Sequence, residues 1–215
     1  MRIKVCGMTI PEQVNQLGDL GVDFAGFIFY PKSPRYVFKN MTTIELKRIR
    51  NINKIGVFVN TPIDEVLAIV DECNLHMVQL HGDESPKYCE KLADYISVIK
   101  AFRLSENDNI EWMTRPYLDV SDMYMFDTIG AGYGGTGKKF NWNLLNGVTV
   151  GKSFFLSGGI EPGDENNLRE FIKQPVAKDL FAIDINSRFE LSPGVKQIEM
   201  IKCFVEELKD SSLQF

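Results

Sequence analysis

Apolar runs, several of them nearly unbroken, recur along the chain and alternate with stretches whose apolar positions fall on a helical stripe. Phe24-Ala25-Gly26-Phe27-Ile28-Phe29 and Ile55-Gly56-Val57-Phe58-Val59 have the character of strands covered on both faces, which is the signature of parallel pairing. Strand ends are expected at Val5, Phe29, Val59, Leu80, Phe102, Asp127, Ser157 and Ile185, at spacings of roughly 21 to 30 residues, one strand-helix unit each. Between them, the segment from Pro62 to Cys73, with Thr61 as its cap, carries Val66, Leu67, Ile69 and Val70 on one stripe. Ile198, Ile201, Phe204, Val205 and Leu208 do the same in the last predicted helix. Thr9-Ile10-Pro11-Glu12 matches a capping box with proline in the first turn. Two units are weak, Ser105 to Thr114 being polar and poorly periodic and Trp142 to Asn146 short, so single helical turns are expected there.

Eight alternating units with no long linker and no low-complexity stretch favour an α/β fold of the closed (β/α)8 TIM-barrel type over an open doubly wound sheet. The 215 residues, 44% of them hydrophobic and 25% charged, suit one such barrel as a single catalytic domain spanning residues 1–215. A net charge of −5 and no basic cluster argue against a nucleic-acid surface, so a small ligand is expected. Cys6, Cys73, Cys89 and Cys203 are scattered and form no Cys-x-x-Cys pair, which suits free thiols in a reducing cytoplasm. No apolar run approaches the ~18 residues of a membrane helix, and no targeting segment is visible, so no membrane partner is expected.

In a parallel barrel, residues at the carboxyl ends of the strands converge on one face, and here they are chemical in type. Cys6 follows the first strand and Tyr30-Pro31-Lys32-Ser33-Pro34-Arg35 the second; Gln79-Leu80-His81-Gly82 stands at the fourth. Asp127-Thr128 closes the sixth, followed by Gly134-Gly135-Thr136-Gly137-Lys138. The seventh and eighth end in Leu156-Ser157-Gly158-Gly159 and Asp184-Ile185-Asn186-Ser187, which read as the phosphate site that barrels build from these loops. Each feature also has a plainer reading. Cys6 alone fits a small buried hydrophobe, Asp127 a helix cap, and Arg35 a solvated charge. The segment from Gly130 to Gly137 fits a flexible loop and lacks the spacing of a P-loop or dinucleotide fingerprint. With only His76 and His81, and an isolated Cys73-x-x-His76, no metal site is expected.

Six segments, in order over nearly the whole chain, resemble the phosphoribosylanthranilate isomerase family. They are Lys4-Val5-Cys6-Gly7-Met8-Thr9, Ser33-Pro34-Arg35, Gln79-Leu80-His81-Gly82-Asp83-Glu84, Gly134-Gly135-Thr136-Gly137-Lys138-Lys139-Phe140-Asn141-Trp142, Leu156-Ser157-Gly158-Gly159-Ile160 and Glu190-x-x-Pro193-Gly194-x-Lys196. The resemblance implies a cofactor-free Amadori rearrangement of N-(5-phosphoribosyl)anthranilate to 1-(2-carboxyphenylamino)-1-deoxyribulose 5-phosphate in tryptophan biosynthesis, as a monomer or a homodimer. The expected roles are Asp127 as general acid, Cys6 as general base and Arg35 as partner of the anthranilate carboxylate. Gly158, Gly159, Asn186 and Ser187 are expected at the phosphate, with His81, Gly135, Ser157 and Asp184 lining the substrate pocket. The role of Lys4 stays open, since it shares Cys6's strand face only if both point inward. The alternatives are another cofactor-free sugar-phosphate isomerase or epimerase, which has less need for Arg35, a phosphate-ligand binder without catalysis, which has no need for both Cys6 and Asp127, and a thiol-redox protein, which lacks a resolving cysteine near Cys6. One departure stands out. The resemblance leads to glycine at position 188, where this chain has Arg188, which is expected to keep an ordinary backbone conformation and leave the phosphate to neighbouring amides.

Overall fold

A computed structural model describes residues 1–128 and 141–210. Eight parallel strands close into a barrel in chain order: β1 (Arg2–Val5), β2 (Phe24–Ile28), β3 (Asn53–Phe58), β4 (Met77–Leu80), β5 (Ser97–Leu104), β6 (Met123–Thr128), β7 (Phe154–Leu156) and β8 (Leu180–Ile185). Each strand ends within two residues of the expected position. The ring closes where β1 pairs with β8, Lys4 lying beside Asp184 and Val5 beside Ile185.

Helices α1 (Pro11–Asp19), α2 (Thr43–Arg48), α3 (Ile63–Cys73), α4 (Pro86–Ala93), α5 (Ile110–Thr114), α6 (Glu165–Ile172) and α7 (Ile198–Asp210) surround it. Their apolar stripes meet the outward strand residues in the main core, which includes Val14, Leu17, Phe27, Leu92, Phe126, Ile201 and Phe204. A short hairpin, β9 (Glu190–Ser192) with β10 (Val195–Lys196), follows β8 over the mouth. The two weak units are single turns as expected: α5 has five residues and runs into a 3-10 turn, and Trp142–Leu145 is a 3-10 turn alone.

Two cap assignments are corrected. Thr9 does not cap α1; Ile10 occupies that position, and the Thr9 hydroxyl instead donates to the Gly194 carbonyl at 2.7 Å, tying the first loop to the hairpin after β8. Thr61 lies one residue outside α3, whose cap position is Pro62 and carries no side-chain hydrogen bond. The Thr61 carbonyl accepts from the Tyr88 hydroxyl of α4. At Thr9 a tertiary partner takes the hydroxyl that local pattern would assign to a helix end, and at Thr61 the tertiary bond is made by the backbone carbonyl. A real capping box occurs at Thr42 and Glu45, which opens α2. Among the described residues no helix is long and apolar enough to cross a membrane.

Candidate active site

Alternation along the strands decides what enters the barrel. Phe24, Ile55, Ile99, Ala101, Met123, Met125, Phe155 and Ala182 fill the lower interior as a separate apolar cluster. Further along the same faces come Lys4 on and Cys6 just after β1, Gln79 on and His81 just after β4, Asp127 on β6, Ser157 after β7, and Asp184 and Asn186 on and after β8. The expected strand-end residues therefore share one mouth.

Lys4 is fully buried and resolves the question of its face: it points inward with Cys6. Its Nζ donates to Asp184 Oδ1 at 2.8 Å, its register neighbour, and to Gln79 Oε1 at 2.9 Å across the interior. The crossing is possible because β2 carries Gly26, where a Cβ would stand 3.1 Å from Lys4 Cε and 2.8 Å from Cys6 Sγ. Burial pushes the Lys4 amine down, but Asp184 and Cys6 outweigh it and its pKa is raised. The Cys6 thiol is pushed up chiefly by burial, against the pull of Lys4 and Lys196. The resting group is a thiol near two cations.

Gln79 Nε2 lies 2.7 Å from His81 Nδ1, and His81 Nε2 lies 3.4 Å from Asp127 Oδ2. Asp127 Oδ1 accepts from the Thr128 N–H at 2.8 Å. Ser157 Oγ donates to Asp184 Oδ2 at 3.1 Å, so Ser157 and Asp184 support the Lys4 ammonium as much as they line the mouth.

The hairpin after β8 supplies a second buried cluster. Glu190 accepts from Arg35 Nε at 2.9 and 3.0 Å, from Arg35 Nη2 at 2.7 Å and from Lys196 Nζ at 2.7 Å, and from the Gly194 N–H at 3.1 Å. Lys196 Nζ also reaches Asn186 Oδ1 at 2.8 Å. Burial pushes the Lys196 amine down despite Glu190. Gly7, at φ +75°, lets the first loop pass: a Cβ there would stand 2.6 Å from Arg35 Cδ and 2.8 Å from Asn186 Oδ1. Motif signal for Glu190 and Lys196 was present in the sequence, but their role as the holders of Arg35 was not legible from it.

On the far side of the mouth, Gly158 and Gly159 adopt φ +90° and +75°, a left-handed backbone that side chains rarely allow. Ser187 begins a 3-10 turn through Phe189, and Arg188 has no left-handed φ, as expected. Its Nε lies 3.5 Å from Glu161 Oε2 in a half-exposed pair. Gly135, and with it the glycine-rich segment Gly130 to Gly137, lies outside the described residues. Among the described residues no group of three or more His, Cys, Asp or Glu is arranged to hold a metal.

The profile of the family described as N-(5'phosphoribosyl)anthranilate (PRA) isomerase matches residues 3–207. The chain belongs to the phosphoribosylanthranilate isomerase family. It is 39% identical over 210 residues to the N-(5'-phosphoribosyl)anthranilate isomerase of Phocaeicola vulgatus, covering 97% of this chain and 98% of that one. Among solved phosphoribosylanthranilate isomerases, that of Thermotoga maritima superposes with a TM-score of 0.82 at 34% identity, covering 98% of this chain and 99% of the other. A second, solved in complex with reduced 1-(o-carboxyphenylamino)-1-deoxyribulose 5-phosphate, gives 0.77 at 31% identity over the same shares. Membership of the phosphoribosylanthranilate isomerase family makes the chain an isomerase of tryptophan biosynthesis.

Proposed function

We propose that this barrel converts N-(5-phosphoribosyl)anthranilate to 1-(2-carboxyphenylamino)-1-deoxyribulose 5-phosphate, with Asp127 as general acid and Cys6 as general base. The observation that carries the reading is that Cys6 and Asp127 face into one mouth from strands on different sides of the β1–β8 seam, between a buried arginine and a positive-φ glycine pair. Asp127 gives a proton to the furanose ring oxygen as the anilino nitrogen's lone pair forms a C1=N bond and the C1–O bond breaks. The iminium acidifies C2–H, and the Cys6 thiolate removes that proton while its electron pair forms C1=C2 and the C=N electrons return to nitrogen. The enol oxygen then releases its proton as C1 takes one up, leaving the ketone. One proton passed back from Cys6 to Asp127 restores both groups, so the chemistry requires no cofactor.

Arg35 presents Nη1, which has no partner among the described residues, as the remaining donor for the anthranilate carboxylate, its other edge being fixed by Glu190. The amides of Gly158-Gly159 and of Asn186-Ser187 take the phosphate, and His81 lines the wall beside Asp127. Free thiols on all four cysteines suit a reducing cytoplasm. The test is the loss of substrate fluorescence when freshly generated phosphoribosylanthranilate meets the purified chain. Turnover that disappears in Cys6→Ala and Asp127→Asn supports the reading, and no turnover by the intact chain overturns it.

A further inference from the structure

Gln79 stands between the two halves of this site, and its surroundings permit one orientation of its carboxamide. The Lys4 ammonium can only donate, and it lies 2.9 Å from Gln79 Oε1 while Asp184 anchors it from the other side. With Oε1 accepting, the amide offers Nε2–H to His81 Nδ1 at 2.7 Å. A ring nitrogen that accepts a hydrogen bond carries no proton, so the imidazole proton is placed on Nε2. That nitrogen is buried without a well-aligned partner, 3.4 Å from Asp127 Oδ2. Turning the amide over would set Nε2–H against the ammonium at less than 3 Å in a closed interior and take from Lys4 the oxygen it donates to.

We infer that Gln79 is a positioning residue: relaying the fixed polarity of Lys4, it locks His81 in the Nε2–H tautomer, so that Asp127 meets a neutral donor. The inference rests on the reading of Asp127 as general acid. A neutral N–H faces the carboxyl group at 3.4 Å as a donor that adds no charge, whereas an imidazolium would set a full positive charge there and a bare Nε2 would compete for the acid's proton. The same relay explains why a buried lysine stands on the far wall from the acid, joined to it through one amide and one ring.

The ring nitrogens report the tautomer directly and without turnover. In the full-length chain labelled with 15N-histidine, only His76 and His81 contribute, and His76→Asn assigns the pair. At about pH 8 the His81 signals are expected to show a protonated Nε2 and a bare Nδ1. A protonated Nδ1, or a rapidly exchanging mixture of the two tautomers, overturns the inference even if Asp127→Asn abolishes turnover. Gln79→Glu replaces the N–H donor with a second acceptor, and Nδ1 is expected to gain a proton while kcat falls about tenfold or more. Gln79→Met is expected to release the ring into both tautomers with a smaller loss of kcat. An unchanged tautomer in both variants also overturns the inference, and the intact chain decides the matter if neither variant folds.

Discussion

Glu190 grips the Arg35 guanidinium with both carboxylate oxygens, at 2.7 to 3.0 Å, inside the mouth of the barrel. Burial pushes the Glu190 carboxyl up, but the hydrogen bonds from Arg35 and the charge of Lys196 outweigh it and hold its pKa below the ordinary value. A carboxylate depressed in the folded state adds stability that is full above its unfolded pKa of about 4.3 and is lost as pH falls through the folded value. Glu190→Gln leaves Arg35 and Lys196 as adjacent cations with no anion between them. It is expected to cost about 3 kcal/mol in urea denaturation at neutral pH and to flatten the acid limb of stability below about pH 4.3. An acid limb identical to that of the parent would assign it to other carboxylates.

Cys6→Ala and Asp127→Asn are each expected to lower kcat by about 100-fold or more while circular dichroism is retained. Cys6→Ser should fail as well, since a hydroxyl is far less acidic than a thiol and supplies no anionic base in the working pH range. Because burial raises the Cys6 pKa, the thiolate fraction of the free chain is expected to keep growing through the alkaline range, as checked by the difference in thiolate absorbance between the parent and Cys6→Ala; a Cys6 signal complete by about pH 7 would contradict it.

Gly26 has no left-handed backbone, so a side chain there acts through space alone. Gly26→Ala brings a methyl within 2.8 Å of Cys6 Sγ and 3.1 Å of Lys4 Cε. Crowding of that kind costs about 1–3 kcal/mol. Turnover should fall about tenfold or more with KM for the substrate little changed, as checked by steady-state fluorescence; full activity would show that Cys6 tolerates displacement.

Arg188 reaches Glu161 across the seventh and eighth loops in a half-exposed pair, a contact worth little to stability. Arg188→Gly is expected to leave KM within about twofold at low ionic strength, the phosphate being held by backbone amides. A raised KM with a flatter salt dependence would assign the guanidinium to the phosphate.

What the chain discloses in advance follows from the range of the forces involved. Apolar runs such as Ile55 to Val59 record burial on two faces, so strand positions and the barrel were legible residue by residue. Helix ends were less so, because Thr9 and Thr61 look local but spend their polar groups on Gly194 and Tyr88, far away in the chain. Cys6 and Asp127 could be picked out from their place at strand ends. The cluster that fixes their surroundings could not, since Lys4 meets Asp184, and Arg35 meets Glu190, across most of the sequence. Only register and alternation, once the ring is closed, bring such pairs together.

That closure has a consequence for how the chain becomes an enzyme. The Cys6 amide bonds to the Ile185 carbonyl and Lys4 pairs with Asp184, so the first strand, held by β2 on one edge, finds the partner for its other edge and its counter-charge only after the eighth has been made. During synthesis β1 must wait for β8, and their meeting closes a long loop at high entropic cost and low speed. A nascent chain halted after β7 would hold Cys6 beside an unpaired Lys4 with no eighth wall. Catalytic competence therefore arrives in one step once β8 is in place, and a fragment lacking β8 should be inert even where its earlier strands are folded.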